Sequence, residues 1–431
     1  MSSLGNRGYV WVAVAVAGTL STALCCALAW APRLIGAGLV GLVVCWALFV
    51  LWPWAVLPTG ILGGSVAAFA YGETDLRTVI LAHLLPLIAG GIAVVTRRAV
   101  GLDAGRPPPA IWSASILLGL VTVAGAIYGL GRGNEPGNVF VGTYEVGVIP
   151  LYFVVTAYTL DTPHRRARAF ELYVVIAGLL TAITLFQPGR HGGLLSLLPL
   201  PVLLVVTGRA TGWRRLGLGL VCAGFAADVA LGSFRSVWVA AIIGIGIVAV
   251  RGGRDLRRGL VATLVAAATL AVGVGLTVGV TSGLANRVDS VDEALVRSAG
   301  YRVTESEVGY DVVSAHPVFG AGLGQTTPHV QLPDYGIVDV GPVYHSYFIV
   351  LLANLGLAGT ALVLWPILRT VARALRQRDP IALALAALTL GFLAAAAVAS
   401  PTDGHWELGL LPALTVLLID GPRSPTAALA R

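Results

Sequence analysis

Long apolar runs separated by short polar connections dominate the hydropathy pattern of this chain. The runs fall near residues 9–31, 34–52, 54–71, 77–95, 110–131, 144–160, 169–186, 192–208, 215–232, 236–250, 259–281, 343–368, 381–399 and 405–420. Most are apolar on all sides, without the period of two that marks a half-buried strand, and they approach the length a helix needs to cross a bilayer. The pattern predicts fourteen helical spans. The first follows Arg7 and ends in ALAWA, which resembles a signal-peptide cleavage site, but its length and the spans directly behind it favour an uncleaved helix.

The connections differ in charge. TRRAVGLDAGR (96–106), HRRAR (164–168), RATGWRR (209–215), RGGRDLRR (251–258) and RTVARALRQR (369–378) are rich in arginine, and the intervening ones mostly are not. Short arginine-rich loops stay on the cytoplasmic side. An even number of crossings puts Arg7 and the tail GPRSPTAALAR on that side too. Composition excludes a soluble globular domain: the chain is 57% hydrophobic and 11% charged, with a mean hydropathy of +0.85. The net charge of +7 comes with loop arginines rather than a basic patch, so a nucleic-acid partner is set aside. Cys25, Cys26, Cys45 and Cys222 lie inside apolar runs and read as small core residues. The expectation is an all-α, polytopic transmembrane helix bundle of about 12–14 helices, multi-pass in the cytoplasmic (inner) membrane, with one large extracytoplasmic loop containing short helices. It divides into N-terminal helices (1–281), the large loop (282–342) and C-terminal helices with a short cytoplasmic tail (343–431).

A connection of about sixty residues among much shorter ones points to function. SGLANRVDSVDEALVRSAG is polar and helical in propensity. In YRVTESEVGYDVVSAHP, the spacing of Val303, Tyr310 and Val313 predicts an amphipathic helix lying on the membrane, and Pro317 ends it at His316. VFGAGLGQTTPHVQLPDYG reads as turn-rich, and GAGLG has no βαβ unit around it to make a nucleotide fingerprint. Beyond the loop, GPVYHSYFIVLLANLGLAG (341–359) places His345 at the lip of an apolar helix.

Four stretches in order, SFRSVWVA (233–240), GYRVTESEVGYDVVSAHP, HPVFGAGLGQ and YHSYFIVLLANLGLAG, resemble the O-antigen ligase and polymerase superfamily over roughly residues 230–365. Upstream helices match only in number and hydropathy. The resemblance departs at Ser346, where the family more often has asparagine. It implies a glycosyltransferase of the C-type membrane fold that moves a glycan from a polyprenyl diphosphate carrier to an acceptor glycan or lipid at the outer face of the cytoplasmic membrane. Ligase and polymerase share that donor and differ in acceptor.

Residue chemistry points the same way. A diphosphate leaving group gathers negative charge, which guanidinium groups stabilise bidentately without a metal or other cofactor. Arg235 and Arg302 are the candidates; each could instead snorkel to the interface, and Glu305, at i+3 from Arg302, could be an ordinary helix-surface partner. His345 is the candidate base, because imidazole titrates near neutral pH and a helix start disfavours its cation; the alternative is a helix cap beside Tyr344. His316, Gly320, Gly322, Tyr344 and Ser346 complete the candidate substrate-binding set, although His316 could serve only the carbonyls of a helix end. Asp228, a carboxylate inside an apolar run, reads as orienting an arginine. Asp403, His405 and Glu407 lack metal-ligand spacing and read as the rim of an acceptor site. A flippase-like transporter of lipid-linked oligosaccharide is the alternative class, and a non-catalytic membrane scaffold a third; neither matched halves with interrupted helices nor any other internal symmetry supports transport.

Overall fold

The computed structural model describes residues 33–71, 76–102, 107–185, 193–231, 235–278, 302–332, 336–341, 344–377, 379–398 and 405–421. The expected first span, the polar loop segment 282–300 and Asp403 lie outside them. In chain order the helices are α1 (Arg33–Leu51), α2 (Val56–Tyr71), α3 (Leu76–Ala99), α4 (Pro109–Gly131), α5 (Pro136–Thr159), α6 (Pro163–Leu185), α7 (Leu194–Leu197), α8 (Leu200–Arg209), α9 (Gly212–Leu231), α10 (Arg235–Arg251) and α11 (Arg254–Val278). The loop contributes α12 (302–315) and strands β1 (Thr327–Leu332) and β2 (Gly336–Val340); then come α13 (Tyr347–Leu375), α14 (Pro380–Ala396) and α15 (Glu407–Ile419). The protein is an all-α, multi-pass membrane bundle. Among the described residues, α4, α5 and α13 are each long and apolar enough to cross a membrane unaided.

Two expectations change in detail. The span expected at 192–208 is broken into α7 and α8, because Pro199 and Pro201 interrupt the amide ladder. The segment read as turns alone holds an antiparallel hairpin, with Val330 opposite Val338, Gln331 opposite Ile337 and Leu332 opposite Gly336. Its prolines and glycines punctuate two short strands rather than replacing them.

The chain forms two compact units: residues 1–107 with 155–173, and residues 108–154 with 174–431. In the first, α2 and α3 approach closely, with Gly90 against the Val56 side chain and Gly60 against Leu87. The Trp46 Nε1 donates to Thr96 Oγ1 at 3.1 Å, and Arg98 lies 4.3 Å above the Tyr158 ring.

The second unit carries every candidate site residue. Small residues let its helices touch through their backbones: Gly391 of α14 abuts Ala240 of α10, and Gly244 of α10 abuts Leu388 of α14. These two contacts also show that α10 and α14 run antiparallel. A turn of a few residues joins α13 to α14, so α13 and α14 are antiparallel neighbours, and the first residues of α10 and α13 share one end of the unit.

Helix α13 is broken at Gly356, whose φ of 64° and ψ of −172° only glycine adopts readily. The break strands the carbonyls of Ala353 and Asn354 and the amides of Leu357 and Ala358, which an unbroken helix would pair with each other. The loop after α12 satisfies all four. Ala321 N–H donates to Ala353 O at 2.8 Å and Gly322 N–H to Asn354 O at 3.0 Å, while Leu357 N–H donates to Pro317 O at 2.9 Å and Ala358 N–H to Val318 O at 3.1 Å. Non-helical backbone inside a bundle persists only when the protein itself supplies such partners.

Candidate active site

Helix α13 starts at Tyr347 with Ser346 as its N-cap residue; the Ser346 carbonyl accepts from Val350 N–H at 3.1 Å, and its side chain makes no cap bond. His345 therefore sits one residue outside the helix and does not cap it. Its side chain, 39% exposed, meets that of Glu305, which is 4% exposed. The Nδ1 of His345 lies 2.6 Å from Glu305 Oε2, and the His345 backbone N–H donates to the same oxygen at 3.0 Å. A carboxylate only accepts, so in the neutral ring this geometry places the proton on Nδ1 and the lone pair on Nε2.

Glu305 is one turn into α12. The alternative in which it partners Arg302 on the helix surface does not hold: the carboxylate turns inward to His345. Arg302 is exposed, and among the described residues it makes no ion pair. The rest of α12 matches an amphipathic helix, with Val303 and Tyr310 at 56% and 60% exposure on one side. On the other side Gly309 lies against the Tyr344 ring and Ile349. Tyr344 is thereby buried beneath α12, and burial, then the nearby Glu305 carboxylate, push its phenol up to about 12.

His316 ends α12. Its amide bonds the carbonyls of Val312 and Val313, and its Nε2 accepts from the Arg132 guanidinium at 3.3 Å. Arg132 follows α4 directly, which brings a third arginine to the loop. Gly320 and Gly322 are buried, and their amides bond His316 O and Asn354 O. Gly322 also packs on the backbone of Gly129, and the Asn134 side chain donates to the carbonyls of Gly322 and Leu323 at 3.3 and 3.0 Å. These two glycines thus shape the loop through its fixings to α4 and α13. Arg235 opens α10 at the end of the unit that also holds the start of α13; its side chain lies outside the described residues.

A family model described as O-antigen ligase matches residues 220–364. This match supports the O-antigen ligase and polymerase superfamily. It covers about a third of the chain and includes Arg235, Arg302, Glu305 and His345. The chain is accordingly a multi-pass membrane protein that resembles O-antigen ligases over residues 220–364. A search of curated proteins gives no match.

Within the O-antigen ligase match, Asp228 is buried and accepts from Ser196 Oγ at 2.6 Å, and Ser196 in turn lies 2.7 Å from Thr181 Oγ1. That network ties α9 to α7 and α6. Nearby, Trp238 Nε1 donates to Val229 O at 2.8 Å, which fixes the start of α10 to the end of α9. Beyond the match, His405 and Glu407 are 3% and 2% exposed and pair at 2.6 Å, so they form no solvent-facing rim. Trp406 stacks on Tyr152 at 5.5 Å, and Gly409 abuts Ile149, drawing this turn into the bundle. The His405 ring lies 4.4 Å from that of Tyr347, whose hydroxyl donates to Glu145 O at 3.2 Å.

The residue that sequence reasoning misread was Glu305, and the one it missed was Arg132. A signal existed for each. Glu305 falls opposite Val303 and Tyr310 on the helical wheel, where a carboxylate needs a buried partner; Arg132 belongs to a short connection that the arginine pattern assigns to the outer side, where arginine is uncommon.

Proposed function

We propose that the protein is a metal-independent glycosyltransferase that moves a glycan from a polyprenyl (undecaprenyl) diphosphate carrier to an acceptor glycan or glycolipid at the outer face of the cytoplasmic membrane. The hydrogen-bonded pair of Glu305 and His345, one helical turn from exposed Arg302, carries this reading.

An acceptor hydroxyl attacks the anomeric carbon of the donor glycan. The new C–O bond forms as the bond from that carbon to the diphosphate oxygen breaks, and the electron pair leaves with the carrier. His345 Nε2 takes the hydroxyl proton. Glu305 holds the opposite ring nitrogen, fixes the plane of the imidazole and stabilises the imidazolium once it forms. Arg302, Arg235 and Arg132 are the groups for the diphosphate, where guanidinium donors meet charge as it develops on the leaving oxygen. Tyr344 and Ser346 flank the histidine, with Tyr344 serving as a neutral packing surface beneath α12. His316 steadies Arg132, the Gly320 and Gly322 backbone holds the loop against α4 and α13, and Asp228 orients the end of α9 from which Arg235 follows.

Purified protein supplied with a polyprenyl-diphosphate-linked oligosaccharide should release the polyprenyl diphosphate and lengthen or modify an acceptor. Cells lacking the gene should accumulate the lipid-linked glycan, which mass spectrometry of the lipid extract identifies. A deletion strain with an unchanged pool of lipid-linked glycans would overturn the proposal.

A further inference from the structure

At the end of the second unit remote from His345, a cavity of about 670 Å³ is lined by Arg215, Arg254, Arg257 and Arg258 together with Gly252, Gly253 and Val261. Its placement follows from helix direction: α10 starts at the His345 end, and the cavity begins just past its last residue, Arg251. We propose that this cavity binds the phosphate-bearing headgroup of an anionic phospholipid, with the acyl chains lying along Val261, Leu264 and Val265.

Three observations carry the proposal. The first is charge without compensation. Arg254, Arg257 and Arg258 fall in the first turns of α11, where the aligned peptide dipoles already favour anions and disfavour cations. They also repel one another at i, i+3 and i, i+4 spacing. The acidic residue of that turn, Asp255, is engaged by Arg209 at 3.2 Å, and Arg209 is not among the lining residues. Arg215 lines the same space from α9, with its Nε donating to Ala210 O at 2.7 Å, a bond that leaves its two terminal nitrogens unused by that carbonyl. Among the described residues, neither Arg254 nor Arg258 forms an ion pair with a carboxylate. A phosphate group would convert this repulsion into charge-assisted hydrogen bonds.

The second observation selects a lipid over a free anion. The cavity opens beside an apolar flank: Val261, Leu264 and Val265 are 60%, 60% and 61% exposed, and they continue along α11 away from the arginines. Trp213, 87% exposed at the start of α9, marks the level at which indole rings sit between hydrocarbon and headgroups. Phosphate-binding groups at that level with hydrocarbon directly beyond them match an amphiphile.

The third is the space itself. The turn between α10 and α11 is made of Gly252 and Gly253, and a Cβ at Gly253 would meet no other atom of the fold within 4 Å. Gly253 thus faces open space at the cavity, and a larger side chain there obstructs the cavity without disturbing the helices.

The test uses full-length purified protein in detergent, mixed with phosphatidylglycerol or phosphatidylcholine, with the retained lipid measured by native mass spectrometry. Wild-type protein should retain phosphatidylglycerol about ten-fold more than phosphatidylcholine, and both Arg254→Gln/Arg258→Gln and Gly253→Leu should lower that retention about ten-fold. Equal retention of the two lipids, or undiminished retention by the Gly253→Leu protein, would overturn the proposal. Glycerol 3-phosphate distinguishes the sources of the phosphate: displacement of the lipid by it at equal concentration would make this a site for a soluble phosphate and refute the lipid assignment. The Gly253→Leu variant keeps all four arginines, so the test survives a charge variant that fails to fold.

Discussion

A single oxygen, Oε2 of Glu305, receives both the ring Nδ1 and the backbone amide of His345, at 2.6 and 3.0 Å. The carboxylate therefore sets ring tautomer, ring orientation and the position of the chain that carries the ring. His345→Ala should lower turnover about 10²- to 10⁴-fold, the usual contribution of a positioned acid or base. His345→Gln should fare little better, because it keeps a hydrogen bond but cannot take the proton. Glu305→Gln can donate an amide proton to Nδ1 and so turn the reactive lone pair away, and it should cost at least about 10²-fold. The two residues act as a unit, so Glu305→Gln should add little to the loss already caused by His345→Ala. Multiplying losses in the double variant, measured as initial rates of carrier release, would separate their roles.

Arg302 is exposed at the first residue of α12. Arg302→Lys keeps the charge and loses the planar fork, so transfer should fall by more than about ten-fold while membrane expression stays normal. Arg235→Lys should behave alike. Arg132→Gln should weaken donor binding with a smaller effect on turnover, since it also holds His316. The same assay run in EDTA should keep its rate, and restoration of a lost rate by magnesium or manganese would replace the arginine account with a metal one.

Gly356 and Gly320 meet at the break in α13, and a methyl group on either would collide with the backbone of the other segment. Both have positive φ, 64° and 69°. Gly356→Ala combines a strained backbone, about 1–3 kcal/mol, with loss of the four bonds between loop and helix. The variant should yield little folded protein by size-exclusion chromatography in detergent. Gly133→Ala also replaces a glycine of positive φ, but open space surrounds it, so it should cost only the backbone strain, about 1–3 kcal/mol, and still yield folded protein.

Alkaline stability gives a further check. The Tyr344 phenol, at about 12, stays neutral in the fold past the point near ~10 where an unfolded tyrosine ionises. The unfolded chain thus loses this proton first as pH rises, and the stabilising contribution, complete below ~10, is lost progressively up to about 12. Tyr344→Phe removes that contribution. Its stability, measured by thermal unfolding in detergent, should decline less steeply across this range than that of the wild type.

The arginine-rich connections predict which side each loop faces. Single cysteines at Thr211 and Gly253 in a cysteine-free background should resist a membrane-impermeant thiol reagent in intact cells, and one at Gln331 should react. Labelling at Gly253 from outside would invert the orientation and move His345 to the cytoplasmic face.

Much of the bundle was legible in the sequence because lipid imposes a coarse rule: about twenty apolar residues per crossing, with arginine on one side. The positions of His345 just before α13 and of Arg302 at the start of α12 were legible too, since each is a polar group at the edge of an apolar or amphipathic segment. Glu305 was misread because its local neighbour, Arg302 at i+3, offered a ready partner, whereas the actual one lies 40 residues away in sequence. His405 and Glu407 looked solvent-facing because a turn of SPTDGHWELG is polar; the stacking of Trp406 on Tyr152 that buries them is a long-range contact. The hairpin at 327–340 hid behind its punctuation, since PHVQLPDYG carries more turn residues than strand formers.

The loop and α13 are one element in two pieces of sequence. Each carbonyl and amide released at Gly356 has its partner between Pro317 and Gly322, and the side chains that follow the break are set by that pairing. The segment therefore cannot be treated as a detachable module. A chimera that imports the glycine-rich loop of another protein while keeping this α13 would bring mismatched halves of a splice, with stranded polar groups in the interior as the result. A working exchange would have to move residues 302–322 and 344–360 together.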